Sequence, residues 1–190
     1  MAERRSALAH LAPLALGEAG ARLSESRPAS LLQVAAWPDT LATVEAVIAE
    51  LLGVGVPPLG RAFADPNLTI AAIAPGRFFI AGVAPDLAQR LEAALPSSDA
   101  AVTNLSHGRV ILRLQGAAAG NVLAKGVALD LDPATFAAGR VAQTAIHHID
   151  VLVHRQAEMV FDLWVLRGFA EALAEWLLDA GLEYGITFEA

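Results

Sequence analysis

The spacing of apolar and polar residues in the first half of the chain predicts four strands and two helices. The four expected strands are short apolar runs bounded by turn residues: 30–35, 68–74, 78–81 and 100–105. Between Asp39, which stands at an N-cap position, and Gly53, apolar side chains recur on one helical face. A second helix is expected from residue 85 to residue 95, and residues 54–66 are expected to be a loop. The resulting order is strand, helix, strand, strand, helix, strand.

The second half has a similar order with extra strand material. Strands are expected at residues 109–115, 141–147, 149–154, 159–165 and 184–188, helices at 117–124 and 167–180, and one helical turn at 133–138. Two β-α-β-β-α-β (ferredoxin-like) halves, at about residues 29–105 and 106–190, predict the α+β class, with antiparallel sheets and helices. No repeat is visible residue by residue, so the duplication is an expectation about the fold alone.

Residues 1–28 are expected to form an N-terminal arm outside a single domain of residues 29–190. Glycines at 17 and 20 and a proline at 28 interrupt any helix in this stretch. Two interpretations stay open: a disordered tail, or an arm that packs on a partner. The second arises because several leucines are costly to leave in water, namely Leu8, Leu11, Leu14 and Leu16.

Composition excludes several classes of function. The net charge is −7, and no basic cluster is longer than Arg4-Arg5, which argues against a nucleic-acid partner. The absence of cysteine excludes disulfides, thiolate metal sites, iron–sulfur ligation and cysteine nucleophiles. No apolar run reaches the ~18 residues of a spanning helix, and no signal-peptide pattern is present. The sequence therefore predicts a cytoplasmic protein without a membrane segment.

Three histidines, His147, His148 and His154, resemble metal ligands at first sight. If the chain is extended there, His147 and His148 point to opposite faces and cannot share one ion. His148 and His154 have the same parity but lie far apart along a strand, and the sequence offers no clear third ligand. No metal site is predicted.

Two further pairs of residues resemble catalytic groups. Ser106-His107 lacks the strand-turn-helix elbow that exposes a nucleophilic serine, so a turn serine followed by a surface histidine is expected. Asp130 and Asp132 face one way in an extended chain, as acid–base pairs do, although Asp132 equally suits a cap for the turn at Pro133. No glycine-rich phosphate loop is present. The sequence predicts no catalytic residue in this chain.

A series of short motifs nevertheless occurs in a characteristic order. The longest are LSHGR at 105–109, VLAKG at 122–126, LDLDP at 129–133, VLVHR at 151–155 and FDL at 161–163. In order and spacing they resemble the gamma subunits of heterotetrameric sarcosine oxidases. The likeness covers nearly the whole chain and is strongest from residue 102 onward.

The resemblance carries implications that the residues alone do not. Gamma subunits in turn resemble the folate-binding domain of aminomethyltransferases, which implies a duplicated fold. The resemblance to gamma subunits also implies that the chain belongs to an oxidoreductase complex acting on CH–NH donors, which demethylates sarcosine to glycine. FAD, FMN, NAD and tetrahydrofolate would be held by the large subunits and zinc by a small one, with none in this chain. The gamma subunit would bind and stabilise the alpha subunit, with beta and delta completing the heterotetramer.

Asp130 is the one residue that the resemblance places at a folate-contacting position. The neighbouring polar residues of the aminomethyltransferase motif are replaced by Ala128 and Leu129. Three alternatives stay open at this stage. They are a gamma-type subunit of a related complex acting on another N-methyl amino acid such as N-methylglutamate, a free folate-binding or aminomethyltransferase-like module, and a structural homo-oligomer.

Overall fold

The computed structural model describes residues 5–16 and 19–189 and divides the chain into two compact units. We call Pro28–Ser106 the central unit, and Met1–Arg27 together with His107–Ala190 the terminal unit. Within the described residues, no helix is long and apolar enough to cross a membrane.

The elements follow in chain order. The strands are β1 (Leu14–Leu16), β2 (Ala21–Ser26), β3 (Ser30–Ala36), β4 (Ala62–Ala64), β5 (Leu68–Ala74), β6 (Arg77–Gly82), β7 (Ala100–Asn104), β8 (Arg109–Gln115), β9 (Val141–Ile146), β10 (Ile149–Ala157), β11 (Val160–Leu166) and β12 (Ile186–Glu189). The α-helices are α1 (Leu41–Leu52), α2 (Leu87–Ala94), α3 (Ala119–Ala124) and α4 (Ala170–Gly181). Short 3₁₀ turns lie at Pro38–Thr40, Arg167–Phe169 and Leu182–Tyr184.

The central unit is an antiparallel five-stranded sheet in the order β4-β5-β6-β3-β7, with α1 and α2 on one face. Ile48 of α1 and Leu91 of α2 are fully buried in one cluster with Val34 and Ile80 of the sheet. The predicted amphipathic face of α1 is therefore the face that packs. The helix ends as predicted at Gly53, which has φ 72° and donates its N–H to the carbonyl of Ala49.

The terminal unit is a seven-stranded sheet in the order β1-β12-β2-β8-β11-β10-β9. All its neighbouring strands are antiparallel except β12 and β2, which are parallel. Leu123 of α3 and Leu177 of α4 pack with Leu112 and Leu163 of the sheet in one buried cluster. As in the central unit, the alternate side chains of each strand supply the surface on which the helices lie.

The two sheets share one strand order once β1 and β2 are set aside. In the central unit the order is β4-β5-β6-β3-β7, and in the terminal unit it is β9-β10-β11-β8-β12. In the central unit, α1 follows the first strand in sequence, β3, and α2 precedes the last one, β7. In the terminal unit, α3 and α4 have the same places relative to β8 and β12. The α+β class with antiparallel sheets is confirmed, and the common order is what a duplicated fold would produce. The division between the units falls after Ser106, one residue from the expected boundary between the halves.

Residues 1–28 differ from the expected arm. Strand β2 lies between β8 and β12, inside the sheet, and β1 pairs with β12 at its edge. Leu8 and Leu23 are fully buried in the core of the terminal unit. The sequence does not predict β2, because ARLSES has only two apolar residues and the partner strands β8 and β12 lie far away in the chain: Leu23 pairs with Leu114, and Ala21 pairs with Ile186. Arg4, Gly17 and the side chains of Leu14 and Leu16 lie outside the described residues.

Other local predictions differ in detail. The loop predicted at 54–66 contains the short strand β4, and the helical turn predicted at 133–138 is a hydrogen-bonded turn without a helix. β10 runs on to Ala157, beyond the predicted end at 154. The last helix begins with the 3₁₀ turn Arg167–Phe169 before α4. These are differences at element ends and in short elements, where local sequence signals are weakest.

Candidate functional site

Ser106 has a structural role in the central unit. Its hydroxyl accepts the N–H of Leu31 at 2.9 Å and donates to the carbonyl of the same residue at 3.4 Å. Its own N–H is held by the side chain of Asn104 at 3.0 Å. The serine is buried and joined to the main chain of β3, whereas His107 is exposed. Both hydroxyl bonds connect Ser106 to the backbone, so the hydroxyl is not aimed at a reacting group.

His147 and His148 form the two-residue turn between β9 and β10. The strand ends at Ile146, one residue earlier than predicted, and the two histidines have φ values of 43° and 70°. Positive φ at both positions is the geometry of a tight primed hairpin turn, which glycine and asparagine adopt more easily. The His147 ring stacks on Trp176 of α4, with centroids 5.8 Å apart and planes 16° apart.

The three candidate metal ligands are therefore not grouped around one point. His154 lies on β10, well along the strand from the turn, and is buried. Among the residues that the structure describes, no group of three His, Cys, Asp or Glu side chains is placed to hold a metal ion.

His154 belongs instead to a row of polar side chains across three strands of the terminal unit. It is the cross-strand partner of Asp162 on β11, which in turn faces Arg113 on β8. Arg113 binds both carboxylate oxygens of Asp162, from Nε at 2.7 Å and from Nη2 at 2.8 Å. This fork-to-fork geometry is the strongest form of an ion pair in proteins.

The imidazole of His154 is the anomaly in that row. It is 1% exposed, and neither ring nitrogen has a hydrogen-bond partner within the described part of the chain. Burial lowers the pKa of His154, because the charged ring would lose its hydration; the nearby Asp162 opposes this shift and Arg113 adds to it. His154 is therefore neutral at neutral pH.

A cavity of about 520 Å³ opens in the terminal unit where three segments meet. Its lining comes from residues 116–124, which include α3, from the loop 129–133, and from residues between 155 and 161 around the β10–β11 turn. Concave spaces of this size are where small ligands or single side chains of a partner are commonly bound. This cavity is the best candidate for a functional site in the unit.

Arg155 fixes the wall of the cavity. Although it is only 5% exposed, its guanidinium makes its described hydrogen bonds to main-chain carbonyls. Nη1 donates to Leu131 and Phe136, both at 2.9 Å, while Nε and Nη2 donate to Glu158 at 3.2 and 2.6 Å. The guanidinium carbon also lies 5.2 Å from the centroid of the Phe161 ring. Arg155 thus ties the loop after residue 129 to the β10–β11 turn.

Asp130 and Asp132 both line the cavity and both shape its rim. Oδ1 of Asp130 accepts the N–H of Asp132 at 3.0 Å, and Oδ1 of Asp132 accepts the N–H of Ala134 at 2.8 Å. The bond from the Asp132 N–H, followed by one from the Thr135 side chain, lowers the pKa of Asp130 below its ordinary value. A carboxyl group held ionised in this way suits a turn anchor and an anionic surface, and is unsuited to acid catalysis at neutral pH.

Sequence reasoning did not find the cavity or the role of Arg155. A usable signal was present, since Arg155 closes the apolar run VLVHR, and a charge at the end of a buried strand needs partners. Those partners are carbonyls of a loop and a turn, which leave no mark in the sequence. Asp132, in contrast, was foreseen as a cap for the following turn, and it makes that bond.

Comparison with known proteins gives consistent results. A sequence model of the family described as the GCVT N-terminal domain matches residues 55–188. Sarcosine oxidase subunit gamma of Corynebacterium sp. (strain U-96) is 33% identical over 189 residues, covering 95% of this chain and 91% of that protein. Sarcosine oxidase subunit gamma of Arthrobacter sp. is 35% identical over 189 residues, with the same coverage of 95% and 91%.

Solved structures give the same relationship. A chain of heterotetrameric sarcosine oxidase from Corynebacterium sp. U-96, in complex with pyrrole 2-carboxylate, superposes with a TM-score of 0.85 at 31% identity. The match covers 95% of this chain and 96% of that one. Glycine cleavage system aminomethyltransferase T from Bartonella henselae gives a TM-score of 0.64 at 22% identity, over 90% of this chain and 48% of that one, which is a likeness of fold alone.

Proposed function

Because the chain belongs to the sarcosine oxidase gamma-subunit family, we propose that it is the gamma subunit of a heterotetrameric sarcosine oxidase-type complex. The observation that carries the proposal is the superposition at TM-score 0.85, which extends over nearly the whole of both chains. A match over 95% of the chain necessarily extends into both units. It therefore supports a gamma-type subunit.

The role assigned to the chain is structural. Its partners would be the alpha subunit, which it binds and stabilises, and the beta and delta subunits of the same assembly. FAD, FMN, NAD, tetrahydrofolate and zinc would be held by those subunits, and the complex would oxidatively demethylate sarcosine to glycine. The polar side chains of this chain support the assignment, because Ser106 and Asp130 are used in internal hydrogen bonds. The cytoplasmic location stays a prediction.

Folate binding by this chain is not part of the proposal. Tetrahydrofolate carries an anionic glutamate tail, whereas Asp130, Asp132 and Glu158 put carboxylates around the cavity. Like charges at short range disfavour such a ligand by several-fold in affinity or more. The Asp130 carboxylate, placed at a folate-contacting position by the resemblance, is already engaged by the turn that follows it.

The proposal is tested by co-expressing the chain with the other three subunits and purifying through a tag on the alpha subunit. We expect the chain to be recovered in equimolar amount with its partners through gel filtration. Failure to co-purify would overturn the proposal. Assays of the purified complex with sarcosine and with N-methylglutamate then identify the substrate, since a gamma-type subunit is compatible with either.

A further inference from the structure

The cavity of the terminal unit is unbalanced in charge. Among the described residues that line it, three are acidic, Asp130, Asp132 and Glu158, and Arg155 is the single basic one. Arg155 is almost wholly buried and directs its described hydrogen bonds to carbonyl oxygens, so it neutralises none of the three carboxylates directly. Glu158 is exposed and lines the opening. The opening is therefore suited to a cation.

The rim is also held in place before any ligand arrives. Asp130 and Asp132 are fixed by their bonds to the N–H groups of Asp132 and Ala134. The main chain at Glu158 is fixed by the guanidinium of Arg155. Preorganised charges lose little conformational entropy on binding, which increases the affinity they contribute.

Part of the remaining surface of the cavity is apolar, although Asn121 also lines it. Met159, 49% exposed, stands at the rim, and Leu129 and Phe161 also line the wall. On α3, a Cβ added at Gly120 would meet no atom within 4 Å, so there is open space next to this part of the lining. A ligand that combines an alkyl stem with a positive end matches both the apolar wall and the acidic rim.

We propose that this cavity receives a lysine or arginine side chain of a partner subunit, and so serves as an anchoring point of the chain in its complex. The inference rests on the proposed function, because it takes the occupant from the assembly. Lysine and arginine have the required alkyl stem and charge. A half-exposed methionine beside the opening is also a side chain that interfaces favour, which extends the contact beyond the inserted residue.

The charge part of the proposal is tested with the double variant Asp132→Asn/Glu158→Gln. Asparagine keeps the oxygen that accepts the N–H of Ala134, so the rim keeps its shape while two charges are removed. The matched control is Asp86→Asn/Glu92→Gln, which changes two exposed acidic residues of the central unit by the same total charge. Complexes are assembled from purified subunits, and the dissociation constant of this chain is measured at low and high salt.

We expect the rim variant to bind its partners about tenfold more weakly than the wild type at low salt, and the control to bind within about twofold. The affinity of the rim variant should also depend less on salt, because fewer charge pairs remain to be screened. Equal affinities and equal salt dependence for the rim variant and the wild type would overturn the proposal.

The shape part is tested independently with Gly120→Leu. Leucine is a better helix former than glycine and meets no clash at its Cβ, so the variant is expected to fold. Its side chain should fill the open space and weaken binding by about tenfold or more, at low and high salt alike. The control is Gly55→Leu, at a glycine of the central unit that is equally free of close atoms. Unchanged affinity in Gly120→Leu would contradict the proposal.

These outcomes are separate from the test of the proposed function. If the wild-type chain does not join the complex, the proposed function fails. If the wild type joins and either cavity variant binds as the wild type does, the proposed function stands and the anchoring cavity is refuted.

Discussion

The two units of this chain are built on one strand order but differ in what they bury. In the central unit, the buried polar residues among those described are Ser30 and Ser106, each bonded to main chain. The terminal unit buries His154, Arg155 and Asp162. It also has the inserted strand β2 and the cavity. The two units thus share a topology but differ in their cores. The core of the central unit is nearly apolar, whereas that of the terminal unit contains several charged or titratable groups.

This difference in buried polar residues indicates that the terminal unit is the more specialised of the two. Buried charges are costly unless their bonds are satisfied, and they add less to stability than an apolar core does. Arg155 meets that cost by holding together the loop and the turn that form the cavity rim. The terminal unit is therefore the one in which main-chain shape depends on particular polar side chains, and the proposed anchoring point lies there.

The largest expected effect on stability comes from replacing Arg155, whose guanidinium holds the main chain around the cavity. In Arg155→Met, the carbonyls of Leu131, Phe136 and Glu158 lose their donor, which should lower the free energy of unfolding by about 4 kcal/mol. Ser106→Ala, the matched change in the central unit, removes a hydroxyl bonded to one residue and should cost about 1 kcal/mol. Urea unfolding followed by circular dichroism measures both. Similar costs for the two variants would mean that the units do not differ in this way.

A somewhat smaller effect tests the inserted strand. Leu23 of β2 and Leu32 of β3 are both fully buried, one in each unit. Leu23→Ala and Leu32→Ala should therefore each lower the free energy of unfolding by about 3 kcal/mol, as cavities in a packed core do. Thermal and urea unfolding give the comparison. If Leu23→Ala cost less than about 0.5 kcal/mol, residues 21–26 would behave as the separate arm that the sequence suggested.

The smallest expected effect is a pH dependence that belongs to the terminal unit. Burial lowers the pKa of His154 in the folded chain, so between the folded and the unfolded pKa the unfolded state binds more protons. Above the unfolded pKa of about 6.5, His154 is neutral in both states and does not reduce the free energy of unfolding. Below that pH the unfolded state takes up a proton first, so the free energy of unfolding declines. The decline is at most about 1.4 kcal/mol per pH unit, and it ends at the folded pKa.

Unfolding measured at intervals from pH 8 to pH 5 gives the slope directly. His154→Leu should remove this part of the pH dependence, and His148→Gln, a change at the exposed hairpin turn, should retain it. A wild-type slope equal to that of His154→Leu would show that the ring is protonated with the same ease in both states.

The sequence predicted most of the regular structure, for local reasons. Helix α1 could be placed because an apolar face and Gly53 mark it locally, although the predicted cap, Asp39, lies in the 3₁₀ turn before it and the N-cap position is taken by Thr40. Strand β2 could not, because its stability comes from pairing with β8 and β12 far along the chain. His147 was likewise predicted as the end of a strand, and the turn with His148 was not foreseen, since neither residue is typical of positive φ.

The candidate site was less predictable than the fold. Asp130 and Asp132 were visible as a pair, and the cap formed by Asp132 follows from its place before Pro133. The cavity is created by the meeting of three segments between residues 116 and 161, two of which are joined by the hydrogen bonds of Arg155. Such spacing is a tertiary property, which no local pattern encodes.

The central claim is that this chain supports a multi-subunit oxidase without supplying its chemistry. The most direct measurement compares sarcosine oxidation per flavin, and its half-life at a fixed temperature, for complexes assembled with and without the chain. We predict that the chain alone is inactive, and that its omission shortens the half-life of the complex several-fold or prevents its assembly. Equal activity and equal half-life in its absence, or sarcosine oxidation by the chain alone, would contradict the account.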